Sequence, residues 1–176
     1  MDRNRDLAKG LSRIENQLAK KKYHTVTVTP VCKAGAAVDN GEVLFNPVKI
    51  PGACRTKGGA ARLMSTVLVD TDDHKIAVDL WFFRVSKDLG TLGAVVDITD
   101  ANLLLAQPLG NVITAVSTGV GDYVLGGVST NTNFDLIVQS DANDNDYGDI
   151  YVAGVATGTK TYTASGIRIT FGFEVQ

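Results

Sequence analysis

The hydrophobic pattern changes character once along the chain, near Lys22. Before that point Leu7, Leu11, Ile14 and Leu18 recur at spacings of 4, 3 and 4, the stripe of an amphipathic helix with apolar heptad positions. Asp2 or Asn4 can cap its start, and Lys20, Lys21 and Lys22 suit the negative end of the helix dipole. Gly10 costs such a helix about 1 kcal/mol relative to Ala. Two heptads of seam do not hold an isolated helix in water. The seam therefore needs a partner: the chain's own body, sister chains around an axis, or a foreign surface.

After Lys22 the period falls to two. Residues 23–31 (YHTVTVTPV) alternate valine with threonine, as a half-buried strand does, and Pro30 marks that strand as an edge or as ending there. Further β-rich runs cover 42–50, 61–69, 76–84, 112–116, 123–128, 134–139, 150–156 and 166–175. Turn signals separate them, among them Asp39-Asn40-Gly41, Pro51-Gly52, Lys57-Gly58-Gly59 and Thr71-Asp72-Asp73. Thr99-Asp100 ahead of 101–106 predicts one capped helical turn inside a crossover loop. No βαβ rhythm and no fixed repeat is visible, which leaves a sandwich or barrel. The uneven loops favour an all-β, jelly-roll-like antiparallel sandwich of about eight strands over 23–176, preceded by a helical arm over 1–22.

The run 76–84 (IAVDLWFFR) is the most apolar and carries the only tryptophan, Trp81. It predicts a central strand covered on both faces. Asp79 inside it needs a partner, and Arg62 or Arg84 is the expected one.

Composition narrows the classes. A chain of 176 residues with 44% hydrophobic and 20% charged residues can bury a full core without a disulfide or metal staple. No apolar run approaches the ~20 residues that span a bilayer, and 1–22 lacks the apolar core of a secretory signal. Cys32 and Cys54 have no zinc or redox spacing. Two buried thiols are expected, a bridge between neighbouring strands being the alternative that a reducing compartment disfavours.

The net charge of −2 conceals two opposite pieces. Residues 1–22 hold seven bases and three acids, leaving +4, and the body carries the remaining −6. A basic arm on an acidic body suggests different partners for the two surfaces. Nucleic acid is disfavoured as a partner, because acids interleave the bases and no aromatic lies in 1–22 to stack on.

Motifs for chemistry are missing. There is no phosphate-cradling loop between strand and helix, no GxSxG elbow, no HExxH, and His24 and His74 stand in no zinc spacing. The acidic loop at 141–149 is dense in oxygen donors, but its sixth position is Asp146 and its twelfth Val152, where a calcium hand needs Gly and Glu. Turn formation is the simpler reading of that loop. No catalytic residue, cofactor, metal or small-molecule substrate is expected, and the chain is read as a non-enzyme.

An ordered set of segments resembles a family of tailed-bacteriophage virion proteins, the small jelly-roll cement or head-decoration proteins. They are GGAARLMSTVLVD over 58–70, AVDLWFF over 77–83, VDITDAN over 96–102, IYVAGV over 150–155 and YTASGIRITFGF over 162–173. The resemblance covers 58–176, roughly two thirds of the chain, and leaves the arm unmatched. It implies a non-catalytic protein made in the host cytoplasm that sits on the virion's capsid surface. It further implies homotrimers that bind the major capsid protein and brace neighbouring capsomers. On that basis Leu7, Leu11, Ile14 and Leu18 are expected to bury against sister arms or the shell. Arg3, Arg5, Arg13, Lys20, Lys21 and Lys22 are expected to meet acidic shell surface. The alternative is another virion role for the same fold: a tail or baseplate component, a sugar-binding jelly roll, or a small coat protein with a basic arm.

Overall fold

The computed structural model describes residues 22–72, 74, 77–114, 127–132 (backbone), 136–143 and 148–175. Alternating sequence produces two antiparallel sheets. The first sheet takes β1 (Lys22–Val28), β3 (Ala60–Asp70), β6 (Gly127–Thr132), β7 (Ile137–Gln139) and β9 (Ile167–Val175). The second takes β2 (Val43–Ile50), β4 (Val78–Phe83), β5 (Pro108–Ile113) and β8 (Ile150–Ala156). Their orders are β1-β9-β3-β6, with β7 also on β3, and β2-β8-β4-β5. β6 pairs one half of β3 and β7 the other, so the two short strands fill a single interrupted edge position. Eight strand positions result, paired first with last, second with second-last and inward: β1 with β9, β2 with β8, β3 with β6/β7, β4 with β5. This nesting is the jelly roll that the uneven loops favoured.

The pleat sorts residues between layers. Leu63, Leu68, Ile169, Phe171 and Phe173 of the first sheet meet Leu44, Ile50, Leu80, Phe82 and Val152 of the second in one buried cluster. Phe82 and Phe171 close the gap edge to face, with ring centroids 5.7 Å apart at 78°, a favoured aromatic geometry. Each such side chain contributes about 1.5–3 kcal/mol by leaving water, so this layer dominates the fold's stability.

The second sheet is also covered on its outer face. Residues 85–107 cross over it and set Leu89 and Ala106, with Leu92, Val96, Ile98 and Leu103, against Phe83, Val43, Ala153, Val155, Trp81 and Tyr151. β4 thus buries both its faces, as 76–84 predicted. Asn46 anchors the crossover, its Nδ2 donating to the Gly90 carbonyl at 3.0 Å and its Oδ1 accepting from the Leu89 amide at 2.9 Å. The capped turn is present as α1 (Asp100–Ala106), where the Thr99 hydroxyl accepts from the Asn102 amide. Gln107, in the left-handed region at φ 52°, ends it.

Two expectations need correction. Asp79 pairs with neither Arg62 nor Arg84. Its carboxylate accepts from Trp81 Nε1 at 2.7 Å and from Asn111 Nδ2 at 2.9 Å, because strand alternation brings Trp81 to the same face and register brings Asn111 opposite Trp81. The strand expected at 112–116 starts earlier, at Pro108. Proline is tolerated there because the residue opens an edge strand and its missing N–H breaks no ladder. Of the strand expected at 123–128, residues 123–126 lie outside the described residues; 127–128 open β6, which pairs Val128 with Val69 and runs on to Thr132.

Candidate interaction surface

Of the expected contact residues only Lys22 lies in the described part, exposed and opening β1 opposite Val175. Leu7, Leu11, Ile14, Leu18, Arg3, Arg5, Arg13, Lys20 and Lys21 lie outside the described residues, as does the helical form predicted for 1–21. Their attachment point is defined, however: β1 is an edge strand of the first sheet.

That sheet differs from its partner. Both apolar clusters of the described residues lie elsewhere, one between the sheets and one beneath the 85–107 crossover. On the outer face of the first sheet Tyr23, Thr25, Thr27, Arg62 and Arg168 stand exposed, Tyr23 at 67%. The register sets rows across it: Tyr23–Glu174–Arg62, Thr25–Gly172–Ser65 and Thr27–Thr170–Val67. A shift in register between Leu63 and Ser65 bulges β3 at Met64. Gly172 is bare where the Ser65 hydroxyl crosses it, and an added Cβ would collide with that oxygen. The bulge and the missing side chain leave a shallow groove of about 360 Å³ lined by Tyr23, His24, Thr25, Met64, Ser65, Gly172 and Phe173. Its lining is aromatic, hydroxyl and thioether, together with the imidazole of His24, which is itself bonded to the Gly52 carbonyl. Sequence reasoning passed over this groove, although a glycine inside a strand is the signal of such a close approach.

Among the described residues, Asp70, Asp72, Asp141, Asp149, His24 and His74 are engaged in holding loops. Asp70 is buried and accepts from the amides of Asp72 and His74 at 3.0 and 2.8 Å. Asp72 accepts from the Thr163 amide at 2.7 Å and its hydroxyl at 3.0 Å. His74 reaches the Thr161 carbonyl at 2.7 Å and packs edge-on against Tyr162. His24 reaches the Gly52 carbonyl at 2.8 Å. Asp149 accepts from the Gly52 amide at 2.6 Å and lies 3.3 Å from Lys49 Nζ. Asp141 accepts from the Asn143 amide, a short turn. Residues 144–147 of the acidic loop lie outside the described residues. Among the described residues no group of three His, Cys, Asp or Glu side chains is placed to hold a metal.

Cys32 and Cys54 are free and buried, the expected pair of core thiols. Burial, with the charges of Asp72 and Asp70 behind it, pushes the Cys32 thiol up to about 12. Burial also raises Cys54 and the Tyr162 phenol. A nucleophilic thiol needs the opposite shift.

No protein-family model matches the sequence, and no curated protein does. Among the solved structures similar to this chain are three viral ones. A chain of the infectious bursal disease virus Gx strain structure aligns over 89% of this chain at 9% identity and a TM-score of 0.37. This chain spans only 32% of that one. A Desmodium yellow mottle tymovirus chain aligns over 88% of this chain and 81% of its own, at 11% identity and a TM-score of 0.28. A chain of the cyanophage Pam1 capsid asymmetric unit aligns over 89% and 84%, at 14% identity and 0.25. At those TM-scores the jelly roll rests on its own sheet order.

Proposed function

We propose that the protein is a non-catalytic structural component of a virion: a bacteriophage cement or decoration protein. In this reading it binds the outer capsid shell as a trimer and braces contacts between capsomers of the major capsid protein. The observation that carries the reading is the pairing of a self-contained jelly-roll body with a basic arm of opposite charge. Support also comes from the segments over 58–176 that resemble the cement family. Fold alone does not imply function, so the arm matters most. Arg3, Arg5, Arg13, Lys20, Lys21 and Lys22 face acidic shell surface, and Leu7, Leu11, Ile14 and Leu18 are covered in the assembled state. Three copies on a local three-fold multiply a weak contact through effective concentration, and binding stabilises the shell by mass action.

The test is capsid occupancy of a chain lacking residues 1–21, which keeps β1 whole. Occupancy is expected to fall, and that of the full chain to weaken with salt. Unchanged occupancy and trimer content would remove the arm from the account. Shells assembled by the purified protein alone would make it a coat protein instead.

A further inference from the structure

The seam of the arm has three candidate partners, and the geometry points to one: we propose that Leu7, Leu11, Ile14 and Leu18 pack onto the outer face of the first sheet of their own chain, in the groove beside Tyr23, Thr25, Met64 and Gly172. This deepens the function proposed above by saying how the arm is presented. It does not depend on which shell is bound.

Reach is the first argument. Only Ala19, Lys20 and Lys21 separate Leu18 from Lys22, so Leu18 lies within roughly 14 Å of the start of β1. Tyr23, the next residue, already lines the groove. The outer face of the second sheet lies a further ~10 Å away across the sandwich and is already occupied by the 85–107 crossover. Among the described residues, a crossover lies on the outer face of the second sheet and none on the face next to the attachment point.

Dimensions are the second argument. A helix over 7–18, the form its spacing predicts, extends roughly 18 Å. Four strands at about 4.8 Å spacing make a face roughly 14 Å wide. The helix therefore crosses the sheet with its seam over β1, β9 and β3. Two of the rows it meets, Thr25–Gly172–Ser65 and Thr27–Thr170–Val67, carry no charge, the third holds Arg62 beside Glu174, and Gly172 and Ser65 are small enough to admit a helix closely.

Charge placement is the third. With the seam at a and d, Arg5, Lys9, Arg13 and Lys20 fall at the b, c and f positions, opposite it, together with Asp2 and Asp6. A seam laid on the sheet turns those four bases outward with the two acids, leaving that face net basic. The arm is then a basic face mounted on the body, preformed for an acidic shell.

The test uses the purified full chain, free of any capsid. Cysteines placed as Leu11→Cys and Thr25→Cys are treated with a short bis-maleimide, to which buried Cys32 and Cys54 are slow. A crosslinked monomer supports the inference. Crosslinked dimers, which put the seam on a second copy, overturn it, and so does an absence of crosslink. An independent readout avoids any effect of the new cysteines. Trypsin should cut after Arg13 and Lys20 about tenfold slower in the natural chain than in a Leu11→Asp/Ile14→Asp variant, because docking hides the sites. Equal rates overturn the inference. A chain that docks its arm and binds no shell leaves this inference standing while removing the proposed function.

Discussion

The indole of Trp81 donates to the carboxylate of Asp79 at 2.7 Å, two residues back on the same strand and the same face of the second sheet. The same carboxylate holds Asn111 of the neighbouring strand at 2.9 Å. One acid in the most apolar run of the chain thus ties β4 to β5 beneath the crossover.

Replacing Asp79 by Ala strips the half-buried indole N–H of its acceptor. The expected cost is about 1–3 kcal/mol, read as a lower urea midpoint with the slope unchanged. Trp81 is the only tryptophan, so its emission reports the same change directly. Asp79→Asn keeps one acceptor oxygen and should fall between. Equal midpoints for all three proteins would show that the contact contributes nothing.

Two apolar residues should behave oppositely. Phe82 is fully buried against Phe171, and Phe82→Ala is expected to cost about 3–5 kcal/mol through the cavity it leaves. Leu104 on α1 is 78% exposed, and Leu104→Ser should stay within about 0.5 kcal/mol of the natural chain. Thermal unfolding of the two variants distinguishes them. A large loss in Leu104→Ser would mean that something covers α1 in the native assembly.

The buried thiols and phenol set an alkaline limit. Cys32 is raised from 9.0 to about 12, and Cys54 and Tyr162 are raised too. The folded state therefore holds protons that the unfolded chain has already released above pH 9, so the unfolded state binds fewer and stability falls as pH rises. The contribution of Cys32 is complete below about pH 9 and disappears progressively toward about pH 12. Unfolding midpoints measured from pH 8 to 11 should decline, and Cys32→Ser should shallow that decline. A disulfide-exchange reagent at pH 8 should label neither thiol until the chain unfolds.

The sequence made the strands legible where alternation or a long apolar run marks a buried face. The run at 150–156 coincides with β8, the run at 166–175 differs from β9 by one residue, and the Thr99 cap sits where its chemistry places it. What failed were features fixed by partners. The part of β6 beyond the run marked at 123–128 is polar (129–132), and its register with β3 makes it a strand. Asp79 found neutral donors across two strands, a match no linear spacing reveals. The groove needs a bulge at Met64 opposite a glycine more than a hundred residues later, Gly172. The arm's seam is an expectation from four apolar positions at helical spacing, and its residues lie outside the described part of the chain.

Asn46 offers a separable handle on the crossover. Its amide holds the carbonyl of Gly90 and the amide of Leu89, while Val43 exchanges backbone hydrogen bonds with Gly93 and Ala94 close by. Asn46→Ala removes both side-chain bonds and leaves two half-buried backbone groups to find water, at a cost of about 1–3 kcal/mol. Because the inter-sheet layer is untouched, the loss should appear as local opening. Amide exchange at Leu89, Gly93 and Ala94 should accelerate while that of Phe171 and Phe173 in β9 holds to within the change in global stability. Leu89→Ala should produce the same pattern more strongly, since it empties the apolar layer beneath the crossover. Uniform acceleration through both sheets would show instead that 85–107 and the sandwich unfold as one unit.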